Sequence, residues 1–232
     1  MPPRCPITNE EIIDPETLQG HAWSKLHFID DPLCRQCGVP YALPYGDEIV
    51  CPSCIAEPLA FDAARAALVY DDESHRLIVG FKHSDRTDLA PMFAKLMHRA
   101  GKDILRPSSI LLPIPLHPTR LFSRRYNQSA ILAKALSERN GSTLGLQWLK
   151  RTRATPPQKN LSASARRRNV AGIFALGIDK SHIKGAHLVL IDDVLTTGAT
   201  LSSAARVLKQ AGAVRVDALV VARVVKGGVG VI

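Results

Sequence analysis

The chain has 232 residues, of which 46% are hydrophobic and 22% are charged, and its 30 Lys and Arg outnumber its 21 Asp and Glu. The hydrophobic content is sufficient for a globular core, and the absence of a run of 18 apolar residues argues against a membrane-spanning helix. Residues 1–16 lack the basic and apolar pattern of a secretion signal, so we expect a cytoplasmic protein.

The charge is divided unevenly along the chain. Residues 1–60 hold 3 Lys and Arg against 9 Asp and Glu, whereas residues 61–232 hold 27 against 12. This asymmetry predicts two domains, an acidic one over 1–60 and a basic one over 61–232. A basic domain attracts anions, and phosphorylated metabolites and nucleic acid both qualify.

Four of the five cysteines form two C-x-x-C pairs separated by thirteen residues: Cys34, Cys37, Cys51 and Cys54. This spacing predicts a zinc ribbon in which four thiolates fill the tetrahedral shell, so the zinc would be structural. A redox C-x-x-C is the alternative, but two such pairs close together favour a metal. Cys5 has no partner in this scheme and is interpreted as a spare thiol near a mobile terminus.

The basic domain begins with a predicted strand, 66–70, and two predicted amphipathic helices, 72–83 and 89–100. Lys82 lies at the end of the first helix, where a cation complements the helix dipole. It is either a surface residue in that role or a residue that reaches the substrate.

A second predicted strand, 109–114, leads into a strongly basic segment, 115–128, interpreted as a loop, and then into a helix that begins at Asn127 or Ser129. Arg120, Arg124 and Arg125 in this loop are candidates for binding pyrophosphate, although each alone could be a solvated surface charge. Residues 150–168 carry seven cations, no acid and a Pro-Pro pair, which indicates a mobile connection that serves as a lid or an RNA-binding arm. Strands are predicted over 169–176 and 214–225.

The segment Leu188 to Thr200 reads LVLIDDVLTTGAT. Its apolar start predicts a buried parallel strand, 188–191, which ends at Asp192 and Asp193. Small residues and hydroxyls follow, and then a predicted helix, 201–211, that stops at Gly212.

This layout has a chemical interpretation. A tight loop that enters a helix presents several backbone N–H groups to an anion. The loop residues suit a phosphate monoester, while the two carboxylates suit vicinal hydroxyls or Mg²⁺: Thr196, Thr197, Gly198, Ala199 and Thr200 on one side, Asp192 and Asp193 on the other. A ribose 5-phosphate has both groups. An ordinary β-to-α turn with solvated aspartates is the alternative, and it explains the acidic pair poorly.

The same segment resembles the phosphoribosyl-diphosphate (PRPP) signature of type I phosphoribosyltransferases. The order of motifs from Cys34 to Ala222 is moreover similar to that of the ComF family, phosphoribosyltransferase-like proteins associated with DNA uptake and recombination. Motif positions are occupied by Lys82, Pro115, His117, Arg120, Arg125, Asn127, Gln128, Gln158, Arg166, Asn169 and Gly172. One departure is Arg125-Tyr126, where many members have Gly-Phe.

The resemblance implies an α/β fold, a type I phosphoribosyltransferase-like parallel sheet flanked by helices, with the zinc ribbon at its N-terminus. It implies PRPP as ligand, with Mg²⁺, and Asp192 and Asp193 as the catalytic acidic pair. Substrate contacts would come from the loop 196–200 and from His117, Arg120, Arg125, Lys82 and Arg166. A PRPP or nucleotide sensor without catalysis, and a single-stranded DNA-binding competence factor, are the alternatives; the acceptor is not indicated.

Overall fold

The computed structural model describes residues 3–14, 16–41, 49–83, 86–154, 170 and 172–225. The strands are β1 (Ala64–Val69), β2 (Ile110–Pro113), β3 (Thr143–Leu144), β4 (Leu149–Arg151), β5 (Phe174–Leu176), β6 (His187–Leu195) and β7 (Arg215–Arg223). The α-helices are α1 (Gly20–Trp23), α2 (Pro52–Ala56), α3 (Asp72–His83), α4 (Ala90–Ala100), α5 (Pro118–Arg124), α6 (Gln128–Asn140) and α7 (Ala199–Gln210).

Five strands form the central sheet in the order β1-β7-β6-β2-β3, and all of the neighbouring pairs are parallel. Along β6 the apolar side chains alternate between two cores. Val189 and Ile191 pack with α3, α4 and α6, whereas Leu188 and Leu190 pack with α7. Because both faces are covered by helices, β6 is apolar without interruption from Leu188 to Ile191, as buried parallel strands are. The predicted parallel α/β sheet is confirmed.

The prediction that β6 ends after Ile191 is wrong for the edge that pairs with β7. Strand β2 stops pairing with β6 at Pro113 and Ile191, but β7 continues to pair as far as Leu195 and Arg223. Asp192 and Asp193 therefore lie within the strand. This part of β6 pairs with β7 on one edge. Because β2 no longer pairs with β6 there, the other edge of β6 is open to polar side chains.

Two further interpretations need correction. The segment 115–128 is not all loop, because Pro118–Arg124 forms α5, with Pro118 in the first turn and His117 as N-cap. Of the predicted strand 169–176, the described residues form a strand only at Phe174–Leu176, which pairs antiparallel with Leu149–Arg151 outside the central sheet; residues 169 and 171 are not described. Most of the predicted connection 150–168, Arg166 included, lies outside the described residues.

The N-terminal segment packs against the sheet domain through aromatic and aliphatic side chains. The rings of Trp23 and Phe28 lie 4.8 Å apart, and the Arg99 guanidinium of α4 lies 5.0 Å from the Phe28 ring centre. Leu26 is buried in the core cluster against which Phe28 packs. Cys5 is also buried there, at 1% exposure, so its interpretation as a thiol near a mobile terminus is wrong.

Candidate functional site

A small pocket lies where β6 turns into α7. It is lined by Asp192, Val194, Leu195, Thr196, Thr197, Gly198, Ala199, Thr200 and Leu201. Gly198 precedes the helix in a left-handed conformation, with φ of +76°, and its carbonyl accepts the hydrogen bond of Ser202 N–H. A Cβ at this position would lie 3.0 Å from Leu59 Cδ2, so glycine relieves both backbone strain and crowding.

The pocket can bind an anion through the unpaired backbone N–H groups at the start of α7. The first N–H groups of α7 have no intrahelical acceptor, and the helix dipole adds partial positive charge at this end. Thr196 is exposed while Thr197 and Thr200 are half-buried, so hydroxyl groups border the same concavity. We refer to Thr196–Thr200 as the phosphate loop.

Asp192 is held at the edge of this pocket by α6. Its Oδ1 accepts hydrogen bonds from Ser129 Oγ at 2.9 Å and from the Asp193 N–H at 3.0 Å. Burial raises the pKa of Asp192 to about 7, and the neighbouring charge of Asp193 acts in the same direction. Near neutral pH this carboxyl group therefore changes between its ionised form, which only accepts hydrogen bonds, and its protonated form, which also donates one.

Asp193 forms an ion pair with α3. Its Oδ2 lies 2.9 Å from Lys82 Nζ, and both side chains are largely buried, at 15% and 19% exposure. Lys82 therefore does more than complement a helix dipole at the surface: it brings a positive charge to the acidic pair. A contact between Lys82 and a substrate remains a prediction from the sequence.

The segment before α6 fixes the end of α3 that carries Lys82. Tyr126 Oη donates to the Phe81 carbonyl at 2.7 Å, and Gln128 Nε2 donates to the Lys82 carbonyl at 3.2 Å. Asn127 caps α6 with its side-chain oxygen and donates from Nδ2 to the Ile114 carbonyl at 3.1 Å. This segment therefore ties together α3, β2 and α6 around the acidic pair.

The structure does not bring all of the predicted substrate residues to the phosphate loop. His117 caps α5, with Nδ1 2.9 Å from Thr119 Oγ1. Arg125 ends α5 in a left-handed conformation and its side chain is exposed. The Arg120 side chain and Arg166 lie outside the described part of the chain. Their substrate contacts remain predictions.

Sequence reasoning missed Ser129 as a site residue. It treated this serine only as a candidate helix start, although its hydroxyl contacts Asp192 from 63 positions away along the chain. The available signal was a serine in the first turn of α6, the second helix after β2, since neighbouring parallel strands bring the segments that follow them to one edge of the sheet.

The four cysteines of the two C-x-x-C pairs form a second centre. They are all buried, and their sulfur atoms lie within 4.8 Å of one another. Cys37 Sγ and Cys51 Sγ are 3.7 Å apart, and sulfurs bound to one zinc at ~2.3 Å in a tetrahedron have about this separation. The N–H groups of Cys37 and Cys51 point at Cys34 Sγ, at 3.5 Å and 3.2 Å. A hydrogen bond from Cys37 lowers the pKa of Cys34 to about 4, which favours a thiolate ligand. The donor set fits a closed, structural zinc site.

Arg223 connects this centre to the end of β7. The residue is 8% exposed, and its guanidinium donates to the Cys37 carbonyl from Nη1 and to the Val224 carbonyl from Nη2. A hydrogen bond with Cys34 and burial raise the pKa of Cys37, and the positive charge of Arg223 acts in the opposite direction. Arg223 is also the register partner of Leu195, the residue before the phosphate loop. The residue that contacts the cysteine centre thus lies beside the end of β6 in the sheet.

Two domain families match the chain. Residues 1–55 match the double zinc ribbon domain, and residues 129–228 match the phosphoribosyl transferase domain. Among the described residues of the ribbon region, the cluster of four cysteines is the only group that could hold a zinc ion. Residues 1–33 contain one cysteine, Cys5. No described helix is long and apolar enough to cross a bilayer.

The chain also has relatives that match about four fifths of its length. The chain is 32% identical to DNA utilization protein YhgH of Salmonella typhimurium over 190 residues, which cover 80% of this chain and 81% of the relative. It is 28% identical to competence protein F of Haemophilus influenzae, with 83% and 90% covered, and 27% identical to competence protein ComFC of Bacillus subtilis, with 82% and 76% covered. Its motifs, its fold and these relatives show that the chain belongs to the ComF family of phosphoribosyltransferase-like proteins with an N-terminal zinc ribbon.

Proposed function

We propose that this protein binds PRPP, with the 5-phosphate on the phosphate loop and the ribose hydroxyls on Asp192 and Asp193. The observation that carries the proposal is the shared pocket. Asp192 and the whole loop Thr196–Thr200 line one concavity, and Asp193, the next residue in the chain, is paired with Lys82. Acceptor carboxylates beside a cluster of N–H and hydroxyl donors complement a phosphorylated sugar better than they complement any neutral ligand.

The reaction proposed for the site is phosphoribosyl transfer. The bond from ribose C1 to the pyrophosphate oxygen breaks, and its electron pair leaves with the pyrophosphate. A lone pair of the acceptor nitrogen forms the new bond to C1, and the proton of that nitrogen passes to solvent or to a base. Mg²⁺ bound with PRPP would neutralise charge on the leaving pyrophosphate.

The chain's own groups have distinct tasks in this scheme. Lys82 offsets the charge of Asp193, so that two adjacent carboxylates can be held at one edge of the site. Ser129 orients Asp192 through the hydrogen bond to Oδ1. A carboxyl group whose pKa is raised to about 7 can accept a hydrogen bond from a sugar hydroxyl when ionised and donate one when protonated.

A role in the use or uptake of DNA is proposed from the relatives, which are named for DNA utilization and competence. A cytoplasmic location remains the expectation from the sequence. Direct binding of single-stranded DNA is the second candidate function, and one observation favours it: Phe122 on α5 is 92% exposed and precedes Arg124 and Arg125. Exposed aromatic rings beside cations are the elements on which bases stack.

One experiment separates these functions. Labelled PRPP is incubated with Mg²⁺ and a panel of nucleobases, and the wild type is compared with Asp193→Asn. Asp88→Asn is the matched control, because Asp88 is an exposed carboxylate paired with its neighbour Arg86. Turnover that is lost in Asp193→Asn and kept in Asp88→Asn supports the transferase.

The other outcomes support other functions. Tight PRPP binding without turnover for any base would indicate a sensor. Retention of single-stranded DNA that falls steeply with salt and is unchanged in Asp193→Asn would indicate a nucleic-acid-binding protein. Absence of PRPP binding in the zinc-loaded wild type would contradict the proposal.

A further inference from the structure

Residues 4–11 repeat the backbone of residues 33–40, which form the first knuckle of the cysteine centre. The Cys5 N–H donates to the carbonyl five positions further on, and the Cys34 N–H does the same, both at 2.8 Å. The carbonyl of each cysteine accepts from the N–H four positions further on, again at 2.8 Å in both segments. An antiparallel bridge joins the first residue of each segment to its last. The two segments therefore have one hydrogen-bonding pattern.

The residue at the turn of each segment has a left-handed backbone. Gly38 has a φ of +66°, and its counterpart Asn9 has a φ of +61°. Asparagine adopts this conformation more readily than most residues that have a side chain. The repeat thus includes the one position of the knuckle at which the backbone is unusual.

Residues 19–23 repeat the second knuckle, residues 51–55, in the same way. Gln19 and Cys51 each precede a short helix, with φ and ψ of −64° and 152° in one and of −67° and 154° in the other. The carbonyl of each accepts from the N–H groups three and four positions further on, at 2.9–3.0 Å. We refer to residues 4–11 and 19–23 together as the N-terminal ribbon.

The two knuckles of the N-terminal ribbon meet at Cys5, as those of the cysteine centre meet at Cys34. In the cysteine centre, N–H groups from both knuckles point at Cys34 Sγ. Cys5 likewise receives hydrogen bonds from both knuckles, from Thr8 and from the backbone of Gln19. Burial raises the pKa of Cys5, but these hydrogen bonds lower it overall.

Only one of the four ligand positions in the N-terminal ribbon holds a cysteine. Cys5 corresponds to Cys34, and the other three positions hold Thr8, Gln19 and Ala22. Structural zinc sites are built from thiolates and imidazoles, which these three residues do not supply. The Gln19 amide is also engaged, because its Nε2 donates to a carbonyl of the first knuckle at 3.3 Å. The double zinc ribbon domain implies a zinc ion here, and the residues present do not fit it.

Apolar packing takes the place of the metal in the N-terminal ribbon. Cys5 and Ala22 are buried, at 1% and 0% exposure, in the core cluster that contains α4 and α6. Two ion pairs join this region to the same helices: Glu16 with Arg139 and Asp14 with Lys95. The cysteine centre differs, because the four cysteines are the only buried members of its own cluster. A unit with so small a core depends on its metal for folding.

We infer that the N-terminal ribbon is a metal-free counterpart of the zinc ribbon, so that this chain holds one zinc ion where the double zinc ribbon domain implies two. Its knuckles are held by packing on α4 and α6, whereas the knuckles of the cysteine centre are held by zinc. Removal of zinc should therefore release one ribbon and leave the other folded. The inference does not depend on the binding of PRPP.

The first test uses the full wild-type chain. Zinc per chain is measured by elemental mass spectrometry, and the exchange of backbone amide hydrogens is followed with and without a chelator. We expect one zinc per chain. After chelation, amides of residues 34–39 and 51–55 should exchange at least tenfold faster, whereas those of the N-terminal ribbon should keep their protection. Two zinc ions per wild-type chain, or an equal loss of protection in both ribbons, would overturn the inference.

The second test supplies the missing ligands. A triple variant, Thr8→Cys with Gln19→Cys and Ala22→Cys, should bind two zinc ions per chain, and cobalt(II) in their place should give about twice the thiolate-to-cobalt absorption of the wild type. The matched control combines Thr8→Cys with His21→Cys and Ser24→Cys. It has the same number of cysteines and the same C-x-x-C spacing, but positions 21 and 24 are exposed and lie outside the repeat. The control should bind one.

A further variant guards against misfolding, because Ala22 is completely buried. Thr8→Cys with Gln19→Cys leaves Ala22 in place and supplies three thiolates, so it should bind a second cobalt ion more weakly than the triple variant does. Urea unfolding and zinc at the cysteine centre show whether each variant is folded. A folded triple variant that binds one zinc, or a control that binds two, contradicts the inference. If the triple variant does not fold, absence of a second cobalt ion in the folded double variant contradicts it equally.

Discussion

Asp192 makes a quantitative prediction about stability and pH. The carboxyl group is surrounded by the Ser129 hydroxyl, the Asp193 backbone and the Asp193 charge, and burial raises its pKa from 3.8 to about 7. Because the folded state holds this proton more tightly than the unfolded state, the group's favourable contribution is fully present below pH 3.8. It is lost as the pH rises through about 7.

The perturbation that removes this titration is Asp192→Asn. Asparagine keeps an oxygen that can accept from Ser129 and from the Asp193 N–H, but it carries no charge. A rise in pKa from 3.8 to about 7 corresponds to about 4 kcal/mol, which is an upper value for a pair of adjacent carboxyls. The stability of Asp192→Asn relative to the wild type should therefore increase between pH 4 and pH 8, by as much as about 4 kcal/mol.

The assay is urea unfolding of both proteins at several pH values between 4 and 8, with zinc held constant. A carbon-13 NMR titration of the Asp carboxyl carbons gives the pKa directly. Ser129→Ala should raise the pKa of Asp192 further, because it removes a hydrogen bond that favours the charged form. A difference in stability that does not change between pH 4 and pH 8 would refute this account of the site.

Three more predictions concern other contacts. Lys82→Met should raise the pKa of Asp192, since it removes the nearby positive charge, and the same NMR titration measures it; an unchanged value would contradict the Lys82–Asp193 geometry. Arg223→Met should speed zinc release to a chelator several-fold relative to the exposed control Arg76→Met; equal rates would show that Arg223 does not support the cysteine centre. Asp217 is fully buried and accepts from His187, Arg215 and the Ala63 N–H. Although burial raises its pKa, the hydrogen bonds from His187 and Arg215 lower it overall, so the stabilisation is present at neutral pH and lost in acid. Asp217→Asn should therefore cost about 3 kcal/mol at pH 7 and less at low pH by urea unfolding, and an equal cost at both would argue against an ionised Asp217.

The parts of the fold that the sequence predicts well are those set by local pattern. The apolar run from Leu188 to Ile191, the glycine before α7 and the spacing of Cys34, Cys37, Cys51 and Cys54 each reflect a constraint within a few residues. These constraints are backbone conformation, side-chain alternation and metal-ligand spacing. The structure accordingly has the apolar part of the strand, the loop and the four-sulfur cluster where the sequence predicts them.

The parts that the sequence does not predict depend on neighbours distant in the chain. Strand β6 extends past Asp192 because β7 continues beside it, and no local signal at Asp192 reports the length of another strand. The contact of Ser129 with Asp192 depends on how α6 is placed. The N-terminal ribbon likewise depends on packing against α4 and α6, which lie far along the chain.

The central claim is that the phosphate loop binds PRPP, and calorimetric titration of PRPP with Mg²⁺ tests it most directly. Gly198→Ala and Gly141→Ala are compared, because both glycines have left-handed backbones, with φ of +76° and +73°, and this conformation should cost each alanine about 1–2 kcal/mol of stability. At Gly198 the new Cβ also lies 3.0 Å from Leu59 Cδ2, so the stability of both variants is measured beside their binding. Only Gly198 lies in the loop. We predict one PRPP per wild-type chain, at least tenfold weaker binding in Gly198→Ala and unchanged binding in Gly141→Ala. No binding to the wild type, or equal binding to both variants, would contradict the account.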